Sequence, residues 1–155
     1  MILVKSHGFT LIELLVVISI IAILSVIGMV TFTTVQNNAR INATKASLDA
    51  VYKAIEQQRI LQQKVLKDIT GSVCTFCSCD FPLEGECLTR FHNTFVTSLK
   101  MESIPKDGWG DPIWLNENEN EPQSAGDSPC STKDQIGSGH LTPPFRYIPF
   151  YLCPN

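Results

Sequence analysis

The residues with the most reactive side chains are six cysteines, a high number for a chain of 155 residues. Four form a cluster and two lie late in the chain: Cys74, Cys77, Cys79 and Cys87, then Cys130 and Cys153. The clustered spacing, C-x2-C-x-C-x7-C, lacks the two separated C-x2-C pairs of a zinc ribbon. An even number of cysteines favours disulfides if this part of the chain is exported to an oxidising compartment. A zinc site and free thiols are the alternatives, and the sequence alone leaves the pairing open.

A second candidate for chemistry is the pair of carboxylates at Asp107 and Asp111, which flank Trp109. Two nearby carboxylates can serve as a general acid and a general base. Aspartates next to glycine or proline, as at Asp107-Gly108 and Gly110-Asp111-Pro112, are more typical of turns, in which the side chain bonds its own backbone. No motif indicates a catalytic Ser/His/Asp or Cys/His set, and no glycine-rich loop is suited to binding phosphates. His92 is expected to be a surface or packing residue. The sequence therefore predicts a protein that is not an enzyme.

The charge of the chain argues against a nucleic-acid partner. Lysine and arginine number 12 against 15 aspartates and glutamates, which gives a formal net charge of −3. The cations are scattered, so no basic stripe is available for a phosphate backbone.

The apolar residues are concentrated near the start. Between residues 9 and 30 the only charged side chain is Glu13, and the next one is Arg40. A helix over residues 9–30 rises roughly 33 Å, which matches a bilayer core of ~30 Å. We predict a single transmembrane helix there. A signal peptide is less consistent, because its apolar region is usually ~7–15 residues long. A plain anchor leaves unexplained why Glu13 lies at membrane depth, where a carboxylate is costly and usually functional.

The segment K-S-H-G-F-T-L-I-E-L-L-V-V-I, which begins at Lys5, resembles the N-terminus of type IV pilins and type II secretion pseudopilins. The resemblance implies that a prepilin peptidase cuts after Gly8 and that Phe9 becomes the N-methylated N-terminus. It also implies that Glu13 pairs with the N-terminal amine of a neighbouring subunit. A buried ion pair of this kind fixes the register between helices. Lys5 would hold the leader on the cytoplasmic side.

One position departs from the pattern of that family. Many members have a proline where this chain has Val30, and the proline loosens the helix. Gly28 would weaken the helix instead, or it would allow close packing between helices.

The elements that carry these residues follow from their periodicity. Apolar residues at helical spacing, with no proline or glycine between residues 31 and 70, predict one helix over residues 9–69 that stops at Gly71. Phe91, Phe95 and Leu99 predict a second helix over residues 89–101, capped by Thr89 and ended by Ile104-Pro105. A strand is expected after Trp114, and an edge strand over residues 146–152.

The resemblance combines these elements into an α+β, pilin-like fold. Its first part is a leader at residues 1–8, followed by a transmembrane, filament-core half-helix at 9–30. An amphipathic half-helix at 31–70 and a small cysteine-rich globular head at 71–155 complete it. The head would hold the short helix and an antiparallel sheet of two or three strands.

A second stretch, P-K-D-G-W-G-D-P-I-W from Pro105, resembles the P-K-D-P-W-G-N-P-Y segment of major pseudopilins. Gly108, Asp111 and Ile113 replace its proline, asparagine and tyrosine. Those relatives often bind calcium in the loop that follows. The acidic residues of this chain are weak calcium candidates at Glu117, Glu119 and Asp127, with Glu121 and Asp134 nearby. The usual glycine-rich loop is missing, so no cofactor is expected. The resemblance also suggests a Cys130–Cys153 disulfide, and the four clustered cysteines are then expected to form two bridges among themselves.

Together these features predict a structural subunit of a type IV pilus-like or type II secretion pseudopilus filament. Its partners would be other pilin subunits, the membrane, the prepilin peptidase, and an assembly platform protein with its ATPase. The expected location is the bacterial inner or cytoplasmic membrane, with a single pass and the head outside the cytoplasm, and then the filament. The alternative is a membrane-anchored binding module, such as a minor tip pilin for adhesion or DNA uptake.

Overall fold

The structure is a computed structural model that describes residues 9–71, 74–75, 79–119, 132–143, 145–149 and 151, with backbone alone at 27–31 and 145. The chain divides into two compact units, Met1–Asn38 and Ala39–Asn155. The fold combines helices with a small antiparallel sheet, as the sequence predicts.

The longest helix is α1, Leu11–Gln62, which has 52 residues. It ends earlier than predicted. Gln63 adopts a left-handed conformation with φ of 53°, and its N–H donates to the Arg59 carbonyl at 2.8 Å. A short helix α2, Leu66–Thr70, then ends at Gly71, which has φ of 68°.

The prediction of one unbroken helix over residues 9–69 is therefore wrong, because neither glycine nor proline marks the break. Tertiary packing overrides local propensity there. Val65, Leu66 and Ile69 are buried in the core of the second unit. Burying these side chains compensates for the unfavourable conformation of Gln63.

The second predicted helix begins four residues earlier than the sequence suggests. Helix α3, Gly85–His92, continues as a π-helix, Asn93–Ser98. Thr89 does not cap it, because the residue lies inside α3 and its Oγ1 donates to the Gly85 carbonyl at 3.1 Å. The wider π-helical turn suits the strict four-residue spacing of Phe91, Phe95 and Leu99, and all three are buried.

The sheet has three short strands: β1, Trp114–Asn116, β2, Gln135–Gly137, and β3, Phe145–Tyr147. They pair antiparallel in the order β1-β2-β3, with Leu115 opposite Ile136 and Ile136 opposite Arg146. The last strand lies at an edge, as predicted. It is shorter than the predicted strand over residues 146–152, because it ends before Pro149, which cannot donate to a ladder.

The core of the second unit is formed by one apolar face of α1 together with α2, α3, the π-helix and the sheet. Its central side chains are fully buried: Val51, Ile55, Leu66, Phe91, Phe95, Ile113, Leu115, Ile136 and Ile148.

Candidate functional site

The N-terminal end of α1 is closed by a reciprocal cap between Thr10 and Glu13. The Thr10 backbone N–H and Oγ1 both donate to Glu13 Oε2 at 2.8 Å. The Glu13 N–H donates back to Thr10 Oγ1 at 3.3 Å. This is a capping box, in which Thr-x-x-Glu satisfies backbone donors that a helix otherwise leaves free. The T-L-I-E residues thus define where α1 begins as well as forming the core of the recognised motif. Phe9 precedes the cap, and Gly8 lies outside the described residues.

The first unit presents apolar side chains on every side of its helix. From Phe9 to Val26 the large hydrophobic residues are between 47% and 87% exposed. The two serines in this stretch donate to backbone carbonyls one turn earlier, Ser19 to Leu15 and Ser25 to Ile21, each at 2.7 Å. Their hydroxyl donors are thus used within the helix. Between Phe9 and Arg40, Glu13 is the only ionisable side chain.

Within the part of the chain that the structure describes, no helix combines the length and the apolar character that crossing a membrane requires.

The turn that contains Trp109 is built by Asp107. Its Oδ1 accepts hydrogen bonds from the backbone N–H groups of Trp109 at 2.9 Å and Asp111 at 3.0 Å. Its own N–H donates to the Asp111 carbonyl at 2.7 Å. These contacts fix the loop in the way that aspartates commonly fix turns. Gly110 has φ of 97°, a conformation that favours glycine, and Pro112 pairs with Lys106 in an isolated bridge.

The same turn lies directly against helix α1. The Gly108 N–H donates to Thr44 Oγ1 at 2.9 Å. A Cβ added at Gly108 would lie 2.5 Å from the Arg40 Cα and 2.6 Å from its carbonyl carbon. A glycine is therefore required where the resembled family has proline.

A cluster forms where this turn meets the residues that follow β2. Asp107 Oδ2 accepts hydrogen bonds from the Ser138 hydroxyl at 2.6 Å and from His140 Nδ1 at 2.9 Å. The imidazole stacks on Trp109, with ring centroids 4.7 Å apart. Burial would raise the pKa of Asp107, but the hydrogen bonds from Ser138, His140 and the backbone of Trp109 and Asp111 outweigh it and lower the pKa.

The cluster contains the serine, histidine and aspartate of a catalytic triad, but their hydrogen bonds are arranged differently. The Ser138 hydroxyl bonds Asp107, and the His140 backbone N–H donates to Ser138 Oγ at 3.1 Å. A triad requires the serine to bond the imidazole nitrogen that removes its proton. Ser138 and His140 are not predicted as site residues, because nothing in the spacing of residues 107 and 140 indicates that they meet.

A second polar cluster is centred on Arg59, which is fully buried. Its Nη2 donates to Asp134 Oδ2 at 2.8 Å and Glu119 Oε2 at 3.1 Å, and its Nη1 donates to the Pro149 carbonyl at 2.9 Å. Asp134 Oδ1 also accepts the backbone N–H groups of Asn118 and Glu119, at 2.6 and 2.7 Å. Arg59 continues the buried face of α1 after Ile55, and that position was the only sequence signal for it.

The remaining buried carboxylate, Glu117, contacts neutral donors. It accepts hydrogen bonds from the Thr70 hydroxyl at 3.2 Å, from the Thr75 hydroxyl at 2.9 Å and from the Thr75 N–H at 3.2 Å. Burial raises the pKa of Glu117 to about 7, because the hydrogen bonds from Thr75 and Thr70 offset only part of the cost of desolvating the charge.

The described residues that were calcium candidates use their carboxylate oxygens in contacts with the protein. Glu117, Glu119 and Asp134 direct their oxygens at hydroxyl, amide and guanidinium donors of the protein. Asp127 and Glu121 lie outside the described residues. The structure thus brings Glu119 and Asp134 together around a cation, and that cation is Arg59.

The cysteine cluster contains a disulfide between Cys79 and Cys87, which are separated by 8 positions. Cys74 is also disulfide-bonded. No described cysteine is free, in agreement with the oxidised state that the sequence predicts. Cys77, Cys130 and Cys153 lie outside the described residues.

One comparison with known proteins identifies the N-terminal segment. Residues 3–29 match the family model described as the prokaryotic N-terminal methylation motif. No curated protein and no solved structure matches the chain. The matched residues contain Gly8, Phe9, the Thr10–Glu13 capping box and most of the exposed apolar stretch. Residues 3–29 therefore carry the signature of prepilin-like proteins of the type IV pilin and pseudopilin class.

Proposed function

We propose that this chain is a structural subunit of a type IV pilus-like or type II secretion pseudopilus filament. A prepilin peptidase cleaves it between Gly8 and Phe9, and the new N-terminus is methylated. The observation that carries the proposal is the coincidence of the methylation motif at residues 3–29 with a helix that exposes apolar side chains and a single carboxylate.

The exposed apolar helix supports assembly on physical grounds. A helix that is apolar on all sides is normally buried, and apolar patches of this extent mark interaction surfaces. We infer that the surface of residues 9–26 is covered by lipid before assembly and by the same segment of neighbouring subunits in the filament. The inner or cytoplasmic membrane, the platform protein and the ATPase enter this proposal through the family resemblance.

The role of Glu13 follows from its charge and its place in the capping box. Both contacts from Thr10 fall on Oε2, and we propose that Oε1 accepts the Phe9 ammonium of a neighbouring subunit. Two isolated charges in an apolar filament core would each be costly, whereas a pair offsets much of that cost and fixes the helix register. The capping box keeps the carboxylate oriented before the neighbour arrives.

Processing is tested by the intact mass of the protein purified from membranes of a host with a prepilin peptidase. We expect the mass of residues 9–155 plus one methyl group. The same chain from a host without the peptidase is the control, and it should start at Met1. A chain that remains uncut with the peptidase present would mean a plain anchor, and cleavage after residue 30 would mean a secretory signal peptide.

Assembly is tested separately by electron microscopy of filaments from wild-type protein and from Glu13→Gln. We expect Glu13→Gln to be processed but to form no filaments. Glu84→Gln, which removes an exposed carboxylate of the second unit, is the matched control and should assemble normally. Filaments of wild-type yield from Glu13→Gln would contradict the proposed pairing. A processed wild-type protein that never polymerises would favour the anchored binding module.

A further inference from the structure

Three metal-ligating side chains meet in the second unit. His140 Nδ1 lies 2.9 Å from Asp107 Oδ2 and 3.6 Å from Asp111 Oδ2. One ligand atom from each residue falls within 4.8 Å of the other two. Ligand atoms that share a zinc ion at bonds of about 2.0–2.2 Å stand roughly 3–3.5 Å apart. The two distances to Nδ1 are therefore close to the separations that a single ion imposes.

The turn uses only one of the two carboxylate oxygens of Asp107. Its Oδ1 holds the backbone N–H groups of Trp109 and Asp111, and the loop requires no more than that. Oδ2 is directed at His140 and Ser138 instead. The Asp111 carboxylate has no part in the turn, because Asp111 contributes backbone atoms alone to it. The turn therefore leaves Asp107 Oδ2 and the Asp111 carboxylate beside the imidazole.

The cluster is short of positive charge. Two carboxylates surround one imidazole, and within the described residues neither Asp107 nor Asp111 forms an ion pair with a lysine or arginine. A divalent cation would neutralise both carboxylates.

Contacts with neighbouring residues also fix the His140 and Asp107 side chains. The imidazole stacks on Trp109 at an interplanar angle of 15°, and Asp107 is fixed by the Ser138 hydroxyl and by two backbone donors. Partners of this kind orient metal ligands and raise their affinity. The side chains of His140 and Asp111 are 38% and 48% exposed, so an ion can enter from solvent.

We propose that Asp107, Asp111 and His140 bind a divalent transition-metal ion, with solvent completing the coordination. An imidazole nitrogen among the ligands suits zinc, copper or nickel, whereas calcium prefers oxygen ligands alone. Coordination through Nδ1 leaves the ring proton on Nε2, and an imidazolium ring would release one proton to solvent.

The test is calorimetric titration of Zn²⁺ into the full-length, oxidised chain in mild detergent. We expect one saturable site per chain. His140→Gln and Asp111→Asn should each weaken binding at least about tenfold. The chain has three histidines, so His92→Gln and His7→Gln are matched controls and should bind as the wild type does. If His140→Gln disturbs the turn, Asp111→Asn still tests the site. Near-UV circular dichroism shows whether each variant is correctly folded.

Three results would overturn the proposal. They are no saturable binding by the wild type, undiminished binding by correctly folded His140→Gln, and loss of binding in either control variant. Nitrogen-15 NMR adds an independent readout, because the proposal requires the metal-induced shift at Nδ1 of His140 and not at Nε2. The proposed filament function does not depend on this site, so either proposal can fail without the other.

Discussion

The Arg59 guanidinium lies 2.8 Å from the Asp134 carboxylate, although 75 residues separate them in the sequence. Both side chains are almost completely buried. Through this contact α1 is joined to the residue that precedes β2. The second carboxylate, Glu119, and the Pro149 carbonyl extend the same connection to the loop after β1 and to the C-terminal segment.

We expect Arg59→Met to destabilise the fold by about 3–5 kcal/mol. It keeps most of the apolar stem but leaves two buried carboxylates without their cation, and breaking a buried pair from one side typically costs this much. Chemical unfolding of the full-length chain in detergent measures this loss in the free energy of unfolding. Arg146→Met is the control, because its pair with Asp49 at 2.7 Å is exposed and should contribute about 1 kcal/mol or less. Equal losses in the two variants would contradict a central role for Arg59.

We expect Gly108→Ala to destabilise the second unit by about 1–3 kcal/mol, in the range that overpacking produces. The added methyl would overlap the Arg40 backbone, which belongs to a helix and does not yield easily. Gly139→Ala is the matched control, because a Cβ there meets nothing within 4 Å. The difference in unfolding midpoint between the two variants tests the contact. Similar midpoints would mean that the turn does not press on α1.

The sequence predicts those features that depend on local pattern. Short segments are enough to recognise the motif from Lys5 to Ile18, the helical apolar spacing of α1 and the oxidised cysteines. The edge position of the last strand also follows from Pro149, although its predicted bounds, 146–152, extend too far. Helix ends that depend on tertiary packing are predicted less well. The break at Gln63 has no glycine or proline, and α3 begins at Gly85, before the apolar repeat starts.

The polar clusters were not predictable, since they join residues far apart in the chain. Asp107 meets His140, and Arg59 meets Asp134, through the assembled core. Asp107, Asp134 and His140 each fit an ordinary loop when taken alone. A lone arginine that follows Ile55 on the buried face of α1 was the single local signal, and it gives no indication of its partners.

We expect a Cys79→Ala variant to contain one new free thiol, at Cys87, because the structure pairs these two residues. Alkylation without reductant followed by peptide mapping identifies the labelled cysteine, and the wild type is the unlabelled control. Label on another cysteine would contradict the pairing. Cys79→Ala with Cys87→Ala should lower the free energy of unfolding by about 2–3 kcal/mol, the value expected for a short closed loop.

The stability of the second unit should depend on pH through Glu117. Its pKa is raised from an ordinary value of 4.5 to about 7 in the folded chain. Between these values the folded state holds a proton that the unfolded state has lost, so the free energy of unfolding falls as the pH rises through this range. The effect is complete above pH 7 and amounts to about 3 kcal/mol.

Glu117→Gln removes this dependence, because the amide is neutral at every pH and keeps an oxygen that can accept from Thr75. The variant should match the wild type near pH 4.5 and exceed its stability near pH 8, as measured by denaturant unfolding of the full-length chain at a series of pH values. Glu102→Gln, at an exposed position, is the matched control and should follow the wild-type profile.

The lowered pKa of Asp107 acts in the opposite direction, with stability lost as the pH falls below the ordinary pKa of an aspartate. Because that contribution is common to all three proteins, the difference between Glu117→Gln and the wild type isolates Glu117. Parallel profiles for the two would mean that Glu117 is ionised in the fold at neutral pH and that its three hydrogen bonds are sufficient to hold the charge.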